Sequence, residues 1–252
     1  MDKVQVLARL ASSIAGTDRD APLALRLCRA CVDILGARGG AITLSPTGPE
    51  RWTVSASDSV AAGLEDLEEV LGAGPGHQVA ESGRAVVLRL ADDVTDGLGE
   101  YVHQARRIAG PATLHALPML PVPHTIGVVV VYHDDGVELG LDTDDRQFLA
   151  DAVGAALLRD TDVVEGTDTS SWPDRAKVHQ ATGMVVAQLG VSTEDAMALL
   201  RAHAFADGST LEELAGVVLA RQFDFAHADD TPDAADHDEN DENDENDENE
   251  GR

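Results

Sequence analysis

Cys28 and Cys31 are the only thiols in the 252-residue chain, and they are spaced as CxxC. That spacing can support thiol–disulfide exchange or supply half of a tetrahedral zinc site. Neither context is present. There is no second CxxC, and both sulfurs fall on the apolar face of a helical pattern beside Leu27 and Leu35. Buried structural thiols are expected. The run Gly72-Ala-Gly-Pro-Gly76 could cradle a phosphate, but it has neither GxGxxG spacing nor a following Lys-Ser/Thr. It reads as a tight loop entering a short helix from Gly76 to Glu81. His77, His103, His115, His124 and His133 show no metal-ligand spacing, so no metal is expected. No Ser-His-Asp set or activated-nucleophile motif occurs, so no catalytic residue is assigned and no enzyme is expected. No cofactor is indicated.

The periodicity around these residues alternates between helix and strand. Val4, Leu7, Leu10, Ala11 and Ile14 follow helical spacing, as do Ala24, Leu27, Cys28, Cys31 and Leu35. Ile42/Leu44 and Trp52/Val54/Ala56 alternate like half-buried strands around a Ser45-Pro46-Thr47-Gly48 turn. A helical stretch from Ser59 to Leu71 precedes the glycine-rich run. Short apolar runs follow at Ala85–Leu90, Ala112–Leu120 and Thr125–Tyr132; the last, with its continuous valines, suits a central strand. Leu149, Ala152, Val153, Ala156 and Leu157 mark a closing helix. The order predicts an α+β domain over residues 1–159, an antiparallel sheet with packed helices.

Residues 160–173, rich in Asp, Thr, Ser and Gly, read as a linker. The unit at 174–225 is all helix. Val178, Ala181, Val185 and Leu189 lie on one face and Gly190 sits at the C-terminal cap. Ser192-Thr-Glu-Asp195 reads as a capping box opening a second helix with the stripe Ala196, Leu199, Leu200, His203 and Ala204. Leu211, Leu214, Ala215, Val218 and Leu219 give a third stripe.

The formal net charge is −28. Residues 229–252 hold thirteen acids and one arginine, with DEN repeated four times, so 226–252 is expected to be a disordered acidic tail. The remaining 228 residues are still at −16, which excludes general affinity for nucleic acid or anionic membranes. Any nucleic-acid role needs a local basic face. The available cations are Arg175, Lys177, His179 and Arg201. No run is long enough to span a bilayer and no secretory leader is visible, so a cytosolic location is expected.

The stretch from His179 to Phe223 resembles the ANTAR domain, a three-helix RNA-binding antitermination module. The matching positions are Gln180, Ala181, Gly183 and Met184 in its first helix, Ala196, Leu200, Arg201 and Ala204 in its second, and Leu211, Ala215 and Val218 in its third. The N-terminal 160 residues resemble a GAF domain through Gly74-Pro-Gly76, Ala80, Gly83, Ala116-Leu-Pro-Met119 and Ile126-Gly-Val128. The order resembles GAF–ANTAR regulators. This implies signal transduction by a sensory domain of unknown small-molecule ligand, coupled to an output that binds leader RNA hairpins and promotes antitermination. It also implies a homodimer, with an upstream signalling protein as an additional partner. Thr182 departs from the Lys of many ANTAR domains, and residues 174–225 hold four basic against seven acidic residues. A signalling or protein-interaction adaptor without RNA binding is the alternative. Some GAF proteins reduce methionine sulfoxide through pocket cysteines, a role that a helical core pair fits badly.

Overall fold

A computed structural model describes residues 2–45, 51–92, 97–120, 125–160 and 172–225, without the side chains of 172–176. The expected Ser45–Gly48 turn, the 160–173 linker and the 226–252 tail lie wholly or largely outside the described residues, as do His124 and the side chain of Arg175. The N-terminal body runs α1 (Lys3–Gly16), α2 (Leu23–Leu35), β1 (Gly39–Leu44), β2 (Trp52–Ala56), α3 (Ser59–Leu71), α4 (Pro75–Ser82), β3 (Val86–Arg89), α5 (Gly99–Ala109), β4 (Ala112–Met119), β5 (Gly127–Asp134) and α6 (Thr143–Leu157). The C-terminal unit holds α7 (Trp172–Leu189), α8 (Thr193–Asp207) and α9 (Leu211–Leu219).

The five strands form one sheet in the order β2-β1-β5-β4-β3, every pair antiparallel. The valine run takes the central place, as β5, because it is buried on both faces and needs no polar alternation. Val129 and Val131 point to one face, where α1, α2 and α6 supply Val6, Leu27, Leu35, Leu149 and Val153. Val128, Val130 and Tyr132 point to the other, where α3, α4 and α5 supply Leu64, Val79, Tyr101 and Val102. The sheet is therefore a middle layer between two helical layers.

Local signals set the helix boundaries. Asp58 and Asp142 accept from Ala61 N and Asp145 N at the starts of α3 and α6. Gly36 and Gly72 end α2 and α3 in the left-handed region. The capping box expected at Ser192 is incomplete. Asp195 N donates to Ser192 Oγ at 3.1 Å, but the Asp195 carboxylate accepts from that hydroxyl at 2.7 Å instead of reaching back to the cap N–H. Aspartate is one methylene shorter than the glutamate that a box uses. The complete box is at Thr210–Glu213, with reciprocal bonds of 3.0 and 3.1 Å opening α9.

Cys28 and Cys31 are free and buried within the α2 face of the core. Cys28 Sγ donates to the Gly40 carbonyl at 3.1 Å, tying α2 to β1. Burial pushes the Cys28 thiol up to about 12 and raises Cys31 as well, so neither forms a nucleophilic thiolate near neutrality. Replacing both cysteines with alanine is expected to cost about 1–3 kcal/mol of stability through lost packing, measured by urea unfolding. Native-state thiol labelling should be slow until the chain unfolds.

Candidate nucleic-acid interface

The three helices of the C-terminal unit close around Val178, Ala181, Val185, Ala196, Leu200, Ala204, Leu211, Leu214, Ala215 and Val218. Most of the motif positions are therefore scaffold. Small alanines at 181, 196, 204 and 215 let the helices approach closely, and Leu200 and Leu211 fill the space between them. Gln180 and Gly183 face outward, and Met184 packs partly against the core. Thr182 is buried, its hydroxyl donating to the Val178 carbonyl at 2.8 Å, so this position faces the core. His203, Phe223 and Phe225 form a ring cluster with centroids 4.7 to 5.0 Å apart that closes one end of the unit.

The sequence-selected cations do not form one basic stripe. Lys177 Nζ lies 3.5 Å from Glu212 Oε1, bridging α7 to α9. His179 is exposed and lines a cleft of about 770 Å³ between the C-terminal unit and the N-terminal body. Arg201, from α8, lines the same cleft. Its guanidinium rests on Gly72 at the end of α3, and its Nε has no hydrogen-bond partner. The structure thus brings His179 and Arg201 together and sets Lys177 in an ion pair.

The opposite wall of the cleft carries a charged cluster that sequence reasoning missed. Arg51, Glu65, Glu68 and His77 line it together with Thr43. Glu68 is 2% exposed at its side chain, yet its carboxylate is fully met. It accepts from Gly76 N at 3.0 Å, His77 N at 3.2 Å and Arg51 Nη1 at 3.0 Å. The glycine-rich run does cradle an anion at the start of α4, and the anion is a carboxylate of the chain itself. Glycine is required by space: a Cβ at Gly74 would run into the Glu68 side chain, and one at Gly76 would meet Glu68 Oε2 at 2.9 Å. His77 Nδ1 lies between the cation and the carboxylate, 2.6 Å from Arg51 Nη1 and 3.2 Å from Glu68 Oε2, and the tautomer of the ring decides which of the two it bonds. The signal for the cluster was present in α3. Ala61, Leu64, Glu65 and Glu68 share one helical face, so two carboxylates sit in an apolar stripe.

The two carboxylates titrate in opposite directions. Burial works to raise Glu68, but His77, Arg51 and the Gly76 amide outweigh it and hold the group below its ordinary range. Glu65 accepts only from Thr43 Oγ1, at 2.7 Å, and its ion pair to Arg51 Nη2 is long at 3.8 Å. Burial, then repulsion from Glu68, pushes Glu65 up to about 7. Elsewhere, His115 and His133 lie on one sheet face with Nε2 atoms 3.0 Å apart, a pairing that strand register alone creates. Burial, then the His133 and Arg146 charges, lowers His115 to about 4, so the His115 ring stays neutral near pH 7. Among the described residues no group of three or more His, Cys, Asp or Glu is placed to hold a metal ion, and no helix is long and apolar enough to cross a membrane.

Residues 173–219 match the family model of the ANTAR domain, so the chain carries an ANTAR domain formed by α7, α8 and α9. The N-terminal body is similar to solved GAF domains. The nlh2 GAF domain of A. aeolicus in an inactive state is 13% identical, with 60% of this chain and 90% of that one covered at a TM-score of 0.38. The GAF-B domain of DevS from Mycobacterium smegmatis is 17% identical, covering 62% and 92% at 0.36. A methyl-accepting chemotaxis protein fragment, residues 122 to 287, is 18% identical, covering 62% and 97% at 0.41. No curated protein matches the chain.

A raised carboxyl makes the N-terminal body less stable as pH climbs. The Glu65 contribution is full below its unfolded value of 4.5 and is lost as pH rises through about 7. Glu65→Gln keeps an acceptor for Thr43 and removes the charge. Its urea midpoint relative to wild type is expected to rise between pH 5 and pH 8, by an amount on the order of 1–3 kcal/mol at the upper end. A difference that stays flat with pH would show that Glu65 is ionised throughout.

Proposed function

We propose that this protein is a sensory regulator that binds RNA hairpins through its ANTAR domain and promotes transcription antitermination. The observation that carries the reading is the match at 173–219, on a three-helix unit whose core closes around the matched positions. Phosphate contact falls to Arg175, Lys177, His179 and Arg201, because the unit as a whole is acidic and general attraction cannot supply affinity. The N-terminal body supplies the sensory side, and its ligand is not named by any residue pattern. Helix α1 packs through Val6 and Leu10 while Val4 and Leu7 stay 68% and 45% exposed, a second apolar face that supports a homodimer.

Gel-shift titration against the leader RNA of its own operon tests the reading. Binding is expected to weaken steeply with salt, and Lys177→Ala and Arg201→Ala are each expected to reduce the slope of log affinity against log salt by about one. The charge balance favours one other reading, a signalling adaptor that keeps the fold. A folded chain that leaves the leader RNA unshifted at about 50 mM salt would select that one. Light scattering at micromolar concentration is expected to give a dimer, and Val4→Asp with Leu7→Asp a monomer.

A further inference from the structure

Helix α3 belongs to two cores at once. Leu64 and Ala61 face the sheet with α4 and α5, whereas Val70, 8% exposed, is buried among Val178, Leu200 and the other core residues of the ANTAR domain. Two residues further on, Gly72 ends α3, and the Arg201 guanidinium lies over it. The last carbonyls of a helix carry partial negative charge and attract a cation placed there. Arg201 therefore lies beside the negative end of a helix of its own chain, next to the apolar contact that Val70 makes.

We infer that the C-terminal end of α3 and an RNA phosphate compete for Arg201, so that docking of the N-terminal body and RNA binding exclude one another. This rests on the RNA-binding reading above. Space decides the competition. Arg201 Nε is buried and the guanidinium packs against Gly72, so a phosphate that takes the whole guanidinium must part it from the end of α3. Charge makes the docked arrangement reversible. Asp66 of α3 is raised by partial burial first and by the nearby Glu213 carboxylate of α9 second, so like charges meet across the contact. The seated valine favours docking by about ten- to a hundredfold, and the Asp66–Glu213 repulsion opposes it. An equilibrium so balanced can be reversed by a polyanion that takes Arg201 away. Whatever factor docking removes from RNA affinity, RNA must remove from docking.

The test uses the full chain with Val70→Asp, which places a charge in the seat without touching the sheet core. Faster hydrogen exchange of the α8 amides with α7 and α9 still protected reports undocking of an intact three-helix unit, and protection of β5 reports that the N-terminal body stays folded. Val70→Ala, a milder change, is run beside it. We expect faster α8 exchange and at least about tenfold tighter binding of the leader RNA for Val70→Asp, an intermediate effect for Val70→Ala, and loss of the gain when Arg201→Ala is added. In the wild type, the same RNA should speed exchange of α3 residues 66–72. Undocked variants that bind RNA no more tightly than wild type would overturn the competition while leaving RNA binding intact. Undocked, folded variants that bind no RNA at all would overturn the RNA-binding reading itself. A wild-type α3 whose exchange is unchanged at saturating RNA would show that both partners fit at once, and would also overturn it.

Discussion

The buried carboxylate of Glu68 holds the cleft side of the N-terminal body together. A lone carboxylate taken out of water is costly, and here three donors from two segments answer it: Arg51 before β2, and the Gly76 and His77 amides at the start of α4. Because donor directions and lengths are fixed, the carboxylate fixes where α3 ends, where α4 begins and where the chain enters β2. The glycines at 74 and 76 are consequences of that constraint, since any side chain there would occupy the space of Glu68 or Arg51.

The end of α3 is also where the N-terminal body meets the ANTAR domain. Glu65 and Glu68 point inward, Val70 points outward, and Gly72 lies beneath Arg201. A helix held at one end by an ionic cluster and carrying an apolar contact on its outer face transmits displacement, because its hydrogen-bonded backbone moves as a unit. The ionic cluster and the contact with α8 are thus carried by a single helix. The cleft of about 770 Å³ lies between the two, lined from both sides.

The two halves of the chain differ in how far the sequence revealed them. The ANTAR domain was readable because its family positions are also its core positions: Ala181, Ala196, Leu200, Ala204 and Ala215 recur at helical spacing, and packing and periodicity carry the same information. The sheet was readable where strands are strongly patterned, and β5 stood out as central by its valines. The cluster at the cleft was not found, although Glu65 and Glu68 interrupt an apolar stripe, because their partner Arg51 belongs to no periodic run that would place it. The pairing of His115 with His133 depends on the β4–β5 register, which spacing alone does not give. Arg201 was selected for its charge, and its position on Gly72 depends on how two folded bodies meet.

Val70 separates the boundary of a sequence family from the boundary of a folding unit. The family match begins at residue 173, yet part of the apolar interior it encloses is contributed by a residue a hundred positions earlier. A chain cut at the start of α7 would keep every matched position and leave a vacancy where Val70 sits. The N-terminal body then behaves as a tethered cofactor of the ANTAR domain: it occupies a seat in its interior at the high effective concentration that a covalent connection provides, and lends it stability by mass action. The ANTAR domain in isolation and the ANTAR domain in the full chain are, on that account, different thermodynamic objects.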